Sequence, residues 1–299
     1  MKVATPQSAS RLWPIDKLFI AYAAIMVCLL ALAARHDSVA RLLIFGHMAA
    51  VSLLVALARN SSPIAQFVHH WYVLAYVPFC YKQVPYLVSA LHLHTADLML
   101  AHWDLAMWKV DPVFWLSSIP NRFLVEFLQA VYTMFIPGTL VLGIILWARR
   151  PRQEFRYGTF MIAATFLISY LGYVVMPARG PRFMDYAAQY APLQGLWTFQ
   201  FFQNVLDTLE GAQYDCFPSG HVAVVLVGCY LARRISAPVF YVFSAFAACI
   251  TFSTVYLRYH YVIDVIAGML LAAAVIAVSS VIYRRLEPGD SPSALPDAS

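Results

Sequence analysis

Tyr261-Val262-Ile263-Asp264-Val265-Ile266-Ala267-Gly268-Met269-Leu270-Leu271-Ala272-Ala273-Ala274-Val275-Ile276-Ala277-Val278-Ser279-Ser280-Val281-Ile282-Tyr283 is an apolar run closed by Arg284 and Arg285. A bilayer core of about 30 Å is crossed by about 20 such residues in one helix. The run is long enough to cross, and its single carboxylate, Asp264, sits near its start. Working back along the chain, residues 239–257, 222–232 with the preceding turn, 157–176, 123–147, 42–58 and 18–34 read as further spans. Residues 18–34 exceed the roughly 7–15 apolar residues of a secretory signal, which predicts a retained anchor. Residues 71–91 are apolar but carry Lys82, Pro78 and Pro85. They cross as a kinked helix or lie partly re-entrant. If they cross, the chain has eight spans and both termini on one side.

Composition agrees with this reading. The 299 residues are 62% hydrophobic and only 12% charged, whereas a soluble domain carries roughly 25% charged residues. So little charge cannot cover a globule of this size, which excludes a soluble enzyme, a disordered chain and a collagen-like one. The net charge of +5 is read as lysine and arginine retained at cytoplasmic span ends. No basic run lies on a soluble domain, so no nucleic-acid partner is expected. The five cysteines are scattered, without zinc or thioredoxin spacing. They are expected to pack as small hydrophobes.

The fold expected is an all-α, polytopic membrane helix bundle. Residues 1–70 supply N-terminal anchor spans, residues 71–285 a membrane-embedded core, and residues 286–299 a disordered tail rich in Pro, Ser and Asp. Arg149, Arg150, Arg152 and Arg156 form the densest basic cluster, with Arg233-Arg234 and Arg284-Arg285 on the same side by parity. That side is predicted to be cytoplasmic, which puts residues 177–217 outside. Trp103, Trp108, Phe114 and Trp115, interleaved with Asp104, Lys109 and Asp111, predict an in-plane amphipathic segment across residues 92–122 on the outer face.

Three polar islands fall at that same outer depth. They are Pro177-Ala178-Arg179-Gly180-Pro181-Arg182, then Cys216-Phe217-Pro218-Ser219-Gly220-His221, then Arg258-Tyr259-His260-Tyr261-Val262-Ile263-Asp264. Buried ionisable groups at span ends are functional candidates. Pro218 and Ser219 suit the first positions of a helix, and Gly220 permits close backbone approach. The free N–H groups of that helix start suit phosphate oxygens, with His221 beside them to pass a proton. His260 and Asp264 are four apart. On a helix they share a face, so the carboxylate can fix one ring nitrogen and leave the other as nucleophile or base. Arg179, Arg182 and Arg258 offer planar forks for phosphate oxygens. Taken singly, each piece has a structural reading, as a helix-face pair or solvated arginines. Their order and shared face favour a site. His69, His70, His92, His94 and His102 fit no standard ligand spacing and read as interfacial or loop histidines.

These motifs bring the chain close to a known family. It resembles the type 2 phosphatidic acid phosphatase superfamily over roughly residues 95–283. Pro218-Ser219-Gly220-His221 matches the second family motif fully, and Ser253, His260 and Asp264 match the third in spacing. Thr254 stands where that motif has Arg, and the Lys of the first motif is absent: Gly172 or Val175 occupies its place. The departures look like the branch of inositol phosphorylceramide synthases and their bacterial relatives, with Arg258 supplying the phosphate-binding charge. The resemblance implies a six-helix core and a lipid phosphatase of the plasma (inner) membrane working on the extracytoplasmic side. His260 would be the nucleophile, Asp264 its orienting group and His221 the proton shuttle. Arg179, Arg182, Arg258, Ser219 and Gly220 would hold phosphate oxygens, with no metal and no cofactor. The expected partners are a phosphorylated lipid substrate and membrane lipids. Water as acceptor makes it a phosphatase, and a lipid or sugar hydroxyl makes it a phosphotransferase. A transporter or lipid-binding protein is the non-enzyme alternative.

Overall fold

The computed structural model describes residues 12–33, 37–119, 121–210 and 214–287. Most of the expected tail, from residue 288 on, lies outside them. Two long helices open the chain, α1 (Pro14–Ala33) and α2 (Ser38–Arg59). Pro14 fits the first helical turn, where a missing N–H costs nothing. Asp37 caps α2 by accepting from the Val39 N–H at 2.8 Å.

The ambiguous apolar stretch is broken rather than continuous. It forms α3 (Pro63–Trp71), α4 (Val73–Tyr81) and α5 (Val84–Ala90). Pro78 inside α4 and Pro85 at the start of α5 remove backbone donors and push against the preceding turn. Polar groups are buried in this layer. His47 of α2 meets the Tyr76 hydroxyl and the Gln83 amide, both at 2.9 Å. His69 is no interfacial or loop histidine, since it is 1% exposed and lies 3.0 Å from the buried Asp16 carboxylate. A charged or polar group taken out of water needs such a partner.

The expected outer-face segment folds as α6 (Asp97–Trp108) and α7 (Pro112–Ser117). Its polarity is inverted relative to a soluble helix. Asp97 and Asp104 are buried, while Leu98, Trp103, Leu105 and Trp108 are exposed. The run at 123–147 is a pair, α8 (Arg122–Thr133) and α9 (Phe135–Arg149), bent by 48°. Pro137, which has no N–H for the Thr133 carbonyl, accounts for the break.

The remaining helices are α10 (Arg152–Val175), α11 (Phe199–Glu210), α12 (Gly220–Ile235), α13 (Ala237–Tyr256) and α14 (Val262–Leu286). α10 is the most buried of the long apolar helices. Its interior hydroxyls, Thr165 and Ser169, return to carbonyls four residues back. α12 packs among α9, α10, α13 and α14, and Val222, Val224, Val225 and Val227 have no exposed surface. Its 16 residues span about 24 Å at the helical rise, short of a full crossing. Among the described residues there is no strand. Five helices are long and apolar enough to cross a membrane, or six if the bent α8–α9 pair is one span. The count of eight is therefore not reached on length and composition, because α12 is short and residues 63–90 are broken. Large apolar side chains face outward on α2 (Leu42, Phe45, Met48) and α13 (Tyr241, Val242), as a lipid-facing surface requires.

Candidate active site

The second and third islands meet at one end of the α10, α12 and α14 packing. Ser219 is the N-cap of α12: its Oγ accepts from the Val222 N–H at 3.4 Å, and its own N–H donates to the Asp264 carbonyl at 3.0 Å. That contact joins the two islands through the backbone. It is possible only because residue 268 is glycine: a Cβ there would stand 2.5 Å from the Ser219 carbonyl oxygen. Gly220 is equally confined, since a Cβ would lie 2.3 Å from the Tyr173 hydroxyl.

The two histidines face each other with ring centroids 5.7 Å apart. His221 packs between Tyr132, stacked at 4.6 Å, and Phe135 at 4.4 Å, and the Tyr132 hydroxyl lies 3.5 Å from His221 Nδ1. His260 is 2% exposed. It lies before α14 rather than on it, so the shared helix face expected for His260 and Asp264 is not what joins them. His260 Nδ1 is 2.9 Å from the Cys216 carbonyl oxygen and 3.6 Å from Asp264 Oδ2. A neutral imidazole on a carbonyl must donate, which puts the proton on Nδ1 and leaves the lone pair on Nε2. Asp264 Oδ2 instead takes the Cys216 thiol at 2.7 Å and the Tyr261 N–H at 2.8 Å. Burial and the adjacent Asp264 hold the Cys216 thiol well above the usual cysteine range, so it is a donor, not a thiolate.

His260 is placed by the end of α13. Arg258 adopts a left-handed φ of 66°, and the Tyr259 and His260 N–H groups both return to the Thr254 carbonyl at 2.9 Å. This is a Schellman-type stop with arginine where glycine is usual. Thr254, the residue that departs from the family motif, thus serves through its backbone.

The first island sits beside the third. The Arg182 N–H donates to the Arg258 carbonyl at 3.3 Å. Its guanidinium pairs with Asp207 at 3.0 Å and lies over the Tyr259 ring at 4.3 Å. Arg179 is exposed, and it shares the Phe183 ring with Arg182, each 4.6 Å from the centroid. Arg258 donates to the Ala191 carbonyl and lies over Tyr190. It also lines a cavity of about 290 Å³ with Ser117, Asn121, Arg122 and Gln194. The three arginines therefore surround the connection that follows α10, held by its carbonyls, rings and a carboxylate. Gly180, with φ 97°, lies against the Tyr259 carbonyl, where a Cβ would approach to 2.4 Å.

Sequence reasoning missed the two acids that hold these loops. Asp97 accepts from the Arg179 and Gly180 N–H groups at 2.9–3.1 Å. Asp104 accepts from Val262 and Ile263 at 2.7 and 2.8 Å, capping α14 from outside. Their signal was the seven-residue spacing, which puts both on one face of α6. Asp104→Ala is expected to cost about 1–2 kcal/mol, as an N-cap with two charged bonds does. An unchanged thermal midpoint in detergent would show that the cap carries no weight.

Cys216, His260 and Asp264 offer three ligand atoms within 4.8 Å of one another. The thiol is spent on Asp264 and Nδ1 on a carbonyl, so the group reads as a hydrogen-bonded triad.

A search against family models matches residues 100–278 to the PAP2 superfamily. No curated protein and no solved structure matches the chain.

Proposed function

The chain belongs to the PAP2 superfamily, a membership that implies phosphoesterase-type chemistry. On that basis we propose that it is a membrane lipid phosphatase cleaving a phosphomonoester or pyrophosphate lipid through a phosphohistidine. The observation that carries the reading is the histidine pair: His260 is tied through Nδ1 to a carbonyl, and His221 faces it at 5.7 Å. His260 Nε2 attacks phosphorus as the bond to the lipid oxygen breaks. His221 gives a proton to the leaving oxygen; burial and the neighbouring His260 hold its pKa down to about 3, so the negative charge of the bound phosphate is what lets it carry that proton. Water then loses a proton to His221 and attacks the phosphohistidine, which frees phosphate and restores both rings. Arg179, Arg182 and Arg258 supply positive charge for the equatorial oxygens, with the start of α12 at Ser219 and Gly220 adding N–H groups.

A second reading, transfer of a phospho-head group to a hydroxyl acceptor as in the inositol phosphorylceramide synthase branch, is favoured by the cavity beside Arg258. Its lining carries two amides, two hydroxyls and two guanidinium groups and no carboxylate, which suits a polar, uncharged or anionic guest. Purified protein incubated with a panel of phosphorylated lipids, with and without inositol, decides between the two. Free phosphate supports the phosphatase, and a newly phosphorylated acceptor supports the transferase. Neither product from any lipid would reject both.

Metal independence belongs to the same proposal. The arginines supply the charge that Mg²⁺ would otherwise provide, and the three islands hold no carboxylate cluster for it. Activity is expected to survive EDTA and to be blocked by vanadate, which adopts the five-coordinate shape of reacting phosphorus. Full loss in EDTA with recovery on adding metal would count against it.

We also propose that residues 177–217 face the extracytoplasmic side of the plasma (inner) membrane, with residues 71–285 as the core unit. The basic ends of α9, α12 and α14 motivate the orientation. A cysteine placed at Arg152 is expected to resist an impermeant thiol reagent in intact cells. Its labelling would reverse the orientation.

A further inference from the structure

Cys216 is joined to both members of the proposed nucleophile pair. Its carbonyl oxygen takes His260 Nδ1 at 2.9 Å, and its thiol sits 2.7 Å from Asp264 Oδ2. The residue is 1% exposed, its Sγ lies 3.5 Å from the Tyr259 carbonyl, and Asp264 itself has no exposed surface. Among the described residues, Asp264 Oδ1 has no hydrogen-bond partner. The buried carboxylate thus leans on two donors at one oxygen, the thiol and the Tyr261 N–H. A buried carboxylate short of donors is poorly held, and each remaining donor matters more.

We propose that Cys216 is a positioning residue: its thiol and carbonyl together hold Asp264 and His260 in the arrangement that leaves His260 Nε2 free. The inference rests on the phosphohistidine reading above. One residue makes both contacts, so a shift of the loop before α12 moves Asp264 and His260 together. The thiol holds Asp264 at 3.6 Å from the ring, close enough to stabilise the positive charge the ring gains when Nε2 bonds to phosphorus. A thiol elsewhere in a core packs as a small hydrophobe. This one points at a carboxylate, where alanine would leave an oxygen short of a partner.

Two measurements test it. The first is the infrared S–H stretch of Cys216, isolated as the difference between the wild-type protein and Cys216→Ser. The band is expected at the low wavenumber of a strongly donating thiol, and to rise in Asp264→Ala. A free-thiol band in the wild type would overturn the proposal. The second compares Cys216→Ala with Cys216→Ser on any turned-over lipid phosphate. Loss of one hydrogen bond to a charged group is expected to lower kcat about tenfold in the alanine variant, with KM unchanged. Serine, which keeps a donor, is expected to restore most of the rate. A rate in Cys216→Ala equal to wild type, or serine no better than alanine when both fold, would also overturn it. A wild type that turns over no phosphorylated lipid removes the functional reading instead, and the S–H band then decides the contact alone.

Discussion

His260→Ala is expected to abolish turnover of every substrate, by at least about 10⁴-fold, as removal of a covalent nucleophile does elsewhere. The expectation comes from the tautomer. His260 Nδ1 is engaged by the Cys216 carbonyl, so the ring has one reactive nitrogen. No other imidazole lies against the Asp264 carboxylate among the described residues. Phosphate trapped on the wild-type protein should be acid-labile and base-stable, as a phosphohistidine is. It should be absent from His260→Ala. A good leaving group cannot rescue this variant, because the missing event is bond formation to phosphorus. If His260→Ala still labels while His221→Ala does not, the two roles must be exchanged.

How much of this was legible in the sequence follows from what apolar patterning encodes. The runs that became α1, α2, α10, α13 and α14 announce themselves, because a lipid-facing helix must be apolar for its full length. Two of the breaks are also written in the chain, at Pro85 and Pro137, though how far each proline bends a helix depends on its neighbours; the break at Tyr72 has no proline beside it, and Pro78 lies inside α4. The site was legible in part. Ser219, Gly220, His221, His260 and Asp264 are brought together as their motifs suggest. The spacing of four between His260 and Asp264 suggests a shared helix face, whereas His260 sits in the turn between α13 and α14. Asp97, Asp104 and Cys216 were not legible as site residues. Each acts on backbone or side-chain atoms far away in sequence, Asp104 on residues 262 and 263 and Cys216 on residue 264. Periodicity reports which face of a helix is apolar. It does not report which distant N–H a buried carboxylate will meet.

His221 offers the sharper separation of roles. It lies in the first turn of α12, its ring held by Tyr132 and Phe135 and facing His260, and no carboxylate among the described residues pairs with it. A group so placed can give a proton to the leaving oxygen and later take one from water. Proton transfer of this kind contributes about 10²–10⁴-fold, but only when the leaving group needs it. A natural lipid alkoxide is a strong base and cannot leave unprotonated. A nitrophenolate can. His221→Ala is therefore expected to lose about 10²–10⁴-fold on a lipid phosphate ester and far less on formation of the phosphoenzyme from a nitrophenyl phosphate. The phosphohistidine should then accumulate, because the same side chain activates the water that clears it. Single-turnover kinetics read both halves: a burst of nitrophenol with slow release of phosphate is the expected trace. Equal losses on the two substrates, with no burst, would remove His221 from proton transfer and leave it a packing role beside Tyr132.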